Sequence, residues 1–61
     1  MKMWIARDGD GSLFLHLEEP YLVNWINDWD NDKDFMRLED NAFPEVTFEN
    51  SPQEVELVIK P

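Results

Sequence analysis

The stretch from Met3 to Leu17, MWIARDGDGSLFLHL, constrains this chain more than any other part of it. Two apolar runs flank Asp8-Gly9-Asp10-Gly11, and glycines at alternate positions between β-forming runs mark a tight turn whose backbone visits positive φ. The stretch therefore reads as a β-hairpin. Because side chains alternate along a strand, loop length decides which residues share a face. A two- or four-residue loop sets Trp4 and Ala6 beside Leu13, Leu15 and Leu17, whereas a three-residue loop, Gly9 to Gly11, sets Met3 and Ile5 there. The second register makes one face wholly aliphatic and puts Gly11 at the left-handed position that ends a type I turn plus bulge. It is the register expected. Trp4, Ala6, Phe14 and His16 then share the opposite face, which is too aromatic to be simply solvated, so another segment must cover part of it.

Further along, Glu18-Glu19-Pro20 ends the second strand, since proline removes a ladder donor and biases its predecessor away from helix. Residues 21–29 admit two readings. Leu22, Trp25, Ile26 and Trp29 have helical spacing, but the abundance of aromatic and β-branched residues favours a short strand near Trp25 to Asp28. Asp30 to Asp34 reads as a polar loop, and Phe35 to Leu38 as a strand returning against the previous one. Phe43 is expected to plug the core, Val46 to Phe48 to form a short strand, and Asn50-Ser51-Pro52 a turn. Glu54 to Lys60 alternates, with Val55, Leu57 and Ile59 predicted inward.

At 61 residues the chain is expected to be a single domain, 1–61, with little room for a deep active site. A domain of this size buries only about 60% of the surface its unfolded chain exposes. With no cysteine and a single histidine, neither a disulfide framework nor the usual zinc ligand sets can be assembled. No apolar run is long enough to span a bilayer and no signal peptide is evident, so a soluble, cytoplasmic setting is expected. The net charge of −9, with five basic residues, argues against nucleic acid or an anionic membrane as partner. A basic or neutral protein is the expected partner, and no cofactor is implied. The sequence leaves the oligomeric state open between a monomer and a weak homodimer.

Trp4-Ile5-Ala6-Arg7-Asp8 with Asp10-Gly11-Ser12-Leu13, and Phe43 through Pro52 followed by Glu54-Val55-Glu56-Leu57, carry a resemblance. These stretches are similar to a group of short proteins of Bacteroides-type gut bacteria, of unassigned function and often encoded in prophage-like regions. They cover somewhat under half of the chain, and Tyr21 to Asn41 lies outside them. The resemblance implies a bacterial or phage cytoplasmic setting and an all-β fold, and it carries over no catalytic or binding residue.

Three patterns could bear chemistry. The acidic run 28–39 places Asp28, Asp30, Asp32, Asp34 and Glu39 near the oxygen-ligand positions of a calcium loop, with Glu39 twelfth from Asp28. Lys33 occupies the sixth position, where that loop needs glycine, so a solvated acidic loop is the plainer reading and weak calcium binding the alternative. His16 with Ser12 and Asp8 suggests a nucleophile-and-base arrangement, but four residues of extended strand hold Ser12 and His16 about 13 Å apart. His16 is expected instead as a partly exposed cross-strand neighbour of Trp4, and an enzyme is not expected. Trp4, Trp25 and Trp29 are the candidate partner-binding residues, against the plainer reading that large rings fill a small core. A third functional alternative is acidic mimicry of a nucleic-acid backbone.

The expected fold is all-β: an antiparallel meander of four or five short strands, as an open curled sheet or an incomplete barrel. The alternative is α+β, with residues 21–29 as a short helix across the sheet. The expected function is that of a small acidic protein-interaction or accessory module.

Overall fold

In the computed structural model, which describes residues 1–60, the Asp-Gly-Asp-Gly segment is a three-residue loop. Asp8 N–H donates to the Ser12 carbonyl at 2.8 Å and Gly11 N–H to the Asp8 carbonyl at 3.0 Å, with Gly11 at φ +96°. The turn is flanked by β1 (Lys2–Arg7) and β2 (Leu13–His16), paired Ile5 to Leu15 and Trp4 to His16, so the expected register forms. The other glycine answers a different demand. A Cβ on Gly9 would lie 2.8 Å from the Cβ of Asn27, because a second turn packs directly on the first.

The remaining strands are β3 (Tyr21–Val23), β4 (Asp28–Asp30), β5 (Phe35–Leu38) and β6 (Gln53–Glu56). The class is all-β, with a four-stranded antiparallel sheet of order β5-β2-β1-β6 and a separate β3-β4 hairpin; the sheet does not close into a barrel. Among the described residues six strands form rather than four or five, and outside the β1-β2 and β3-β4 hairpins the order is not that of a meander. β5 pairs with β2 rather than with the strand before it, and β6 crosses to the far side of β1.

Residues 21–29 hold no helix, and the strand expected at Trp25 to Asp28 is displaced. Trp25 and Ile26 sit in a turn between β3 and β4, closed by Ile26 N–H on the Val23 carbonyl at 3.2 Å. Asn27 takes φ 54°, a left-handed conformation that asparagine tolerates and β-branched residues do not. Asn27 therefore decides the turn, and the bulky residues before it ride on it.

The aliphatic face of the sheet carries the core, in which Ile5, Leu13 and Val46 are buried with Leu15, Leu38, Ala42 and Val55 packed around them. Each such side chain, once buried, stabilises by about 2 kcal/mol. The cover over this face is an irregular segment, residues 39–51. The strand expected at Val46 to Phe48 does not form, because side chains supply that backbone with local partners. Thr47 N–H donates to Asn50 Oδ1 at 2.8 Å, Asn50 Nδ2 to the Glu45 carbonyl at 2.9 Å, and Ser51 Oγ to the Thr47 carbonyl at 2.5 Å. Phe43 does not plug the core. It is half exposed at φ 48°, and Val46 fills the site instead.

Arg7 holds this cover in place. Its Nε donates to the Val46 carbonyl at 2.6 Å, Nη1 to those of Gly11 and Asp40 at 2.8 Å each, and Nη2 to those of Ala42 and Phe43 at 3.0 and 3.2 Å. All five guanidinium donors thus meet backbone oxygens. The ion pairs among the described residues, Lys2–Glu54 and Arg37–Asp40, lie elsewhere.

Two expectations about the edges are corrected. β6 ends at Glu56, with Leu57 N–H on the Met1 carbonyl at 3.0 Å, and Leu57 and Ile59 are exposed rather than inward. Alternation alone cannot extend a strand past the end of its partner. Leu17 likewise falls just beyond β2 and is exposed.

Arg7→Lys should lower the unfolding free energy by about 2 kcal/mol, because an ammonium has three donors and no fork. Arg37→Lys, at an exposed ion pair, should change it by under about 0.5 kcal/mol. Urea denaturation compares them, and equal losses would contradict the role given to Arg7.

Candidate functional site

The other face of the sheet presents Trp4, Ala6, Phe14 and His16, joined from β5 by Phe35 and Arg37. Phe35 meets Phe14 edge-on at 5.6 Å between centroids, and the His16 ring lies 6.0 Å from that of Phe35. The β3-β4 hairpin is the cover that this aromatic face required. It is hung on the sheet by polar contacts. Gly9 N–H donates to the Asn27 carbonyl at 2.7 Å, and Trp29 N–H donates to Asp8 Oδ1 at 2.8 Å. Beyond the end of β4, Asn31 Nδ2 meets His16 Nδ1 at 2.5 Å.

The cover is incomplete and leaves a cleft of about 250 Å3. Phe14, His16 and Phe35 wall it from the sheet; Val23, Ile26 and Trp29 wall it from the hairpin; Asp8, Asp28 and Asp30 supply carboxylates. Burial pushes the Asp8 carboxyl above its ordinary range; the Trp29 N–H opposes this, and Asp28, Asp10 and Asp30 add to it.

His16 is 1% exposed, not partly exposed as expected, although it does pair with Trp4. Its protonation follows from its neighbour. Lys33 N–H donates to Asn31 Oδ1 at 2.6 Å, which turns the Asn31 NH2 toward His16 and makes Nδ1 an acceptor. The imidazole is therefore neutral with its proton on Nε2, and burial holds its pKa below 6.5 against the pull of Asp30. That Nε2 and the indole Nε1 of Trp29 are buried without a partner. A donor left in that condition costs about 1–3 kcal/mol.

The residues singled out from sequence are dispersed. Trp4 is half-buried in the sheet, Trp29 is half-buried 6.1 Å from the Phe48 ring, and Trp25 stands out at the hairpin tip, so they make no common patch. Of the acidic set, Asp28 and Asp30 reach the cleft, Asp32 lies 3.5 Å from the Tyr21 hydroxyl, and Glu39 follows β5. Among the described residues no group of three His, Asp or Glu side chains is placed to hold a metal ion. A calcium loop needs its oxygens turned inward around one tight turn, and here Asp28 and Asp30 lie on β4, Asp32 and Asp34 in the connector after it and Glu39 beyond the end of β5. Sequence reasoning missed Asn31, and it weighed Asp8 beside Ser12 and His16 rather than as the group that holds the β3-β4 hairpin. Asp8 reads as a turn acid and Asn31 as one polar residue in a polar loop, and their role exists only once the hairpin has folded back.

What the cleft can do follows from its lining: aromatic walls bind flat or apolar groups, and carboxylates accept. Its closure is sensitive to pH. A histidine with a depressed pKa contributes stability that is present above 6.5 and is lost as pH falls below it, because the unfolded chain takes up the proton first. Asp8 works in the opposite sense lower down, adding stability as pH falls toward 3.8. The His16 ring signal followed by NMR should therefore titrate below 6.5, with unfolding free energy declining as pH drops from 6.5 toward that midpoint. A midpoint at or above 6.5 would contradict the neutral, Asn31-bound imidazole.

Compared with known proteins, the chain matches no family model, no curated protein and no solved structure.

Proposed function

We propose that the protein is a small interaction module that docks a basic or neutral protein partner on the outer surface of its β3-β4 hairpin. The observation that carries this reading is Trp25, which stands 85% exposed at the tip of the hairpin. An indole exposed in this way on a small acidic protein suits a partner, since tryptophan is among the side chains that most often anchor one. The tip is also held in shape beforehand, since Asn27 is tied to Gly9 at 2.7 Å, so little conformational freedom has to be lost on docking. Asp28, Asp30 and Asp32 flank this surface and favour positive charge opposite it. The setting that goes with this reading is cytoplasmic, with the free protein a monomer or weak homodimer. No helix among the described residues is long and apolar enough to cross a membrane.

Capture of partners from the native host with wild-type protein and with Trp25→Ala tests the reading. A partner retained by the wild type, lost with the variant and weakened by moderate salt is the expected result. Identical recovery with both proteins would contradict it.

A further inference from the structure

We propose that β5, the open edge of the sheet, pairs antiparallel with β5 of a second copy of this chain about a twofold axis at Met36, joining two four-stranded sheets into one. This edge is separate from the hairpin tip that carries Trp25. β5 has β2 on one side and no strand on the other. Leu17 N–H donates to the Asp34 carbonyl at 3.1 Å, and these two residues continue the β2-β5 register, so they are a hydrogen-bonded pair. Such pairs alternate along an antiparallel ladder. Leu15 with Met36 and Leu13 with Leu38 are therefore bonded pairs too, and the backbone N–H and C=O groups of Phe35 and Arg37 point out of the sheet. The side chains there are uncovered as well, with Phe35 55% and Met36 58% exposed. The opposite edge is guarded. Counted in the same way from Leu57 N–H on the Met1 carbonyl, β6 turns Glu54 and Glu56 outward, so a second β6 would set glutamate against glutamate. Like charges directly opposite repel, and charge of this kind is how sheet edges avoid pairing.

Charge selects both the partner and the register. With Phe35 opposite Arg37 of the second copy, the outward groups of both residues are bonded, and Lys33 comes opposite Glu39 at each end of the pair. Among the described residues neither Lys33 nor Glu39 has an ion pair within its own chain. The Arg37 guanidinium already lies 6.0 Å from the Phe14 ring, and in this register it gains a second ring, Phe35 of the copy, on the same face. Other registers lose these matches: Phe35 on Phe35 sets Lys33 against Arg37, and Arg37 on Arg37 opposes two guanidinium groups. On the aliphatic face Met36 meets Met36 of the copy at the axis, beside a hollow of about 110 Å3 lined by Leu15, Leu17 and Phe35. Methionine fills irregular gaps of this sort. The contact is the same surface on both copies, so it closes at two.

The test is sedimentation of the full chain over a concentration series, with backbone amide exchange followed by NMR on the same samples. Moderate salt screens the repulsion between two copies of net charge −9. A monomer–dimer equilibrium within reach of millimolar concentration is expected, with the N–H groups of Phe35 and Arg37 gaining protection as concentration rises and those of Glu54 and Glu56 unchanged. Lys33→Glu and Glu39→Lys, both at exposed positions, should each weaken the dimer by about tenfold. The double variant restores opposite charges and should recover most of that loss, and Trp25→Ala should leave the dimer intact. A chain that stays monomeric at millimolar concentration would overturn the proposal. So would protection at Glu54 and Glu56 instead, a double variant no tighter than the single ones, or loss of the dimer in the Trp25 variant.

Discussion

The fold depends on a single charged side chain spent on the backbone. Arg7 lies at the end of β1, where alternation directs it to the same face as Ile5, and its five donors gather the carbonyls of Gly11, Asp40, Ala42, Phe43 and Val46. In a chain with fourteen acids its partners are not carboxylates. An irregular cover over a hydrophobic face must find donors for its inward carbonyls, and a guanidinium supplies five in one plane. With the cover fixed, Val46 and Ala42 close over Ile5 and Leu13, and the small core exists. The same group holds the first loop through Gly11, so the turn and the cover are set together.

On the opposite face the attachment is polar and more sparing. Asp8, Gly9 and the His16–Asn31 contact fasten the β3-β4 hairpin over Phe14 and Phe35, and they leave a cleft where a larger protein would have packed side chains. The two faces thus divide the work. One is closed by hydrophobic contact around a guanidinium, and the other is spanned by hydrogen bonds, with unsatisfied donors in its walls. Burying a neutral histidine and raising a carboxyl's pKa are costs borne at the cleft.

How much of this was legible in the sequence depends on the range of the interactions involved. The first hairpin was legible to its register, because Gly11 and the aliphatic alternation act within fifteen residues and agree with one another. The need for a cover over Trp4, Phe14 and His16 could also be read, but not its identity. Asn24 and Asn27 were outweighed by the bulky residues between them, so a strand was expected where the turn lies. The irregular cover was illegible, since its order comes from Arg7 more than thirty residues away, an interaction without a local pattern. Of the residues that line the cleft, Asp28, Trp29 and Asp30 are legible as candidates in the sequence, and the burial of His16 is not, because it follows from Asn31 folding back across the sheet.

The central claim, that the Arg7 guanidinium is fully engaged by backbone oxygens, is tested most directly by NMR of the arginine side chains at low temperature. Arg7 should give separate Nη signals, slow rotation about its Nε–Cζ bond and an Nε–H protected from exchange, while Arg37, exposed beside Asp40, should give averaged signals. Averaged, rapidly exchanging signals from both would contradict the account.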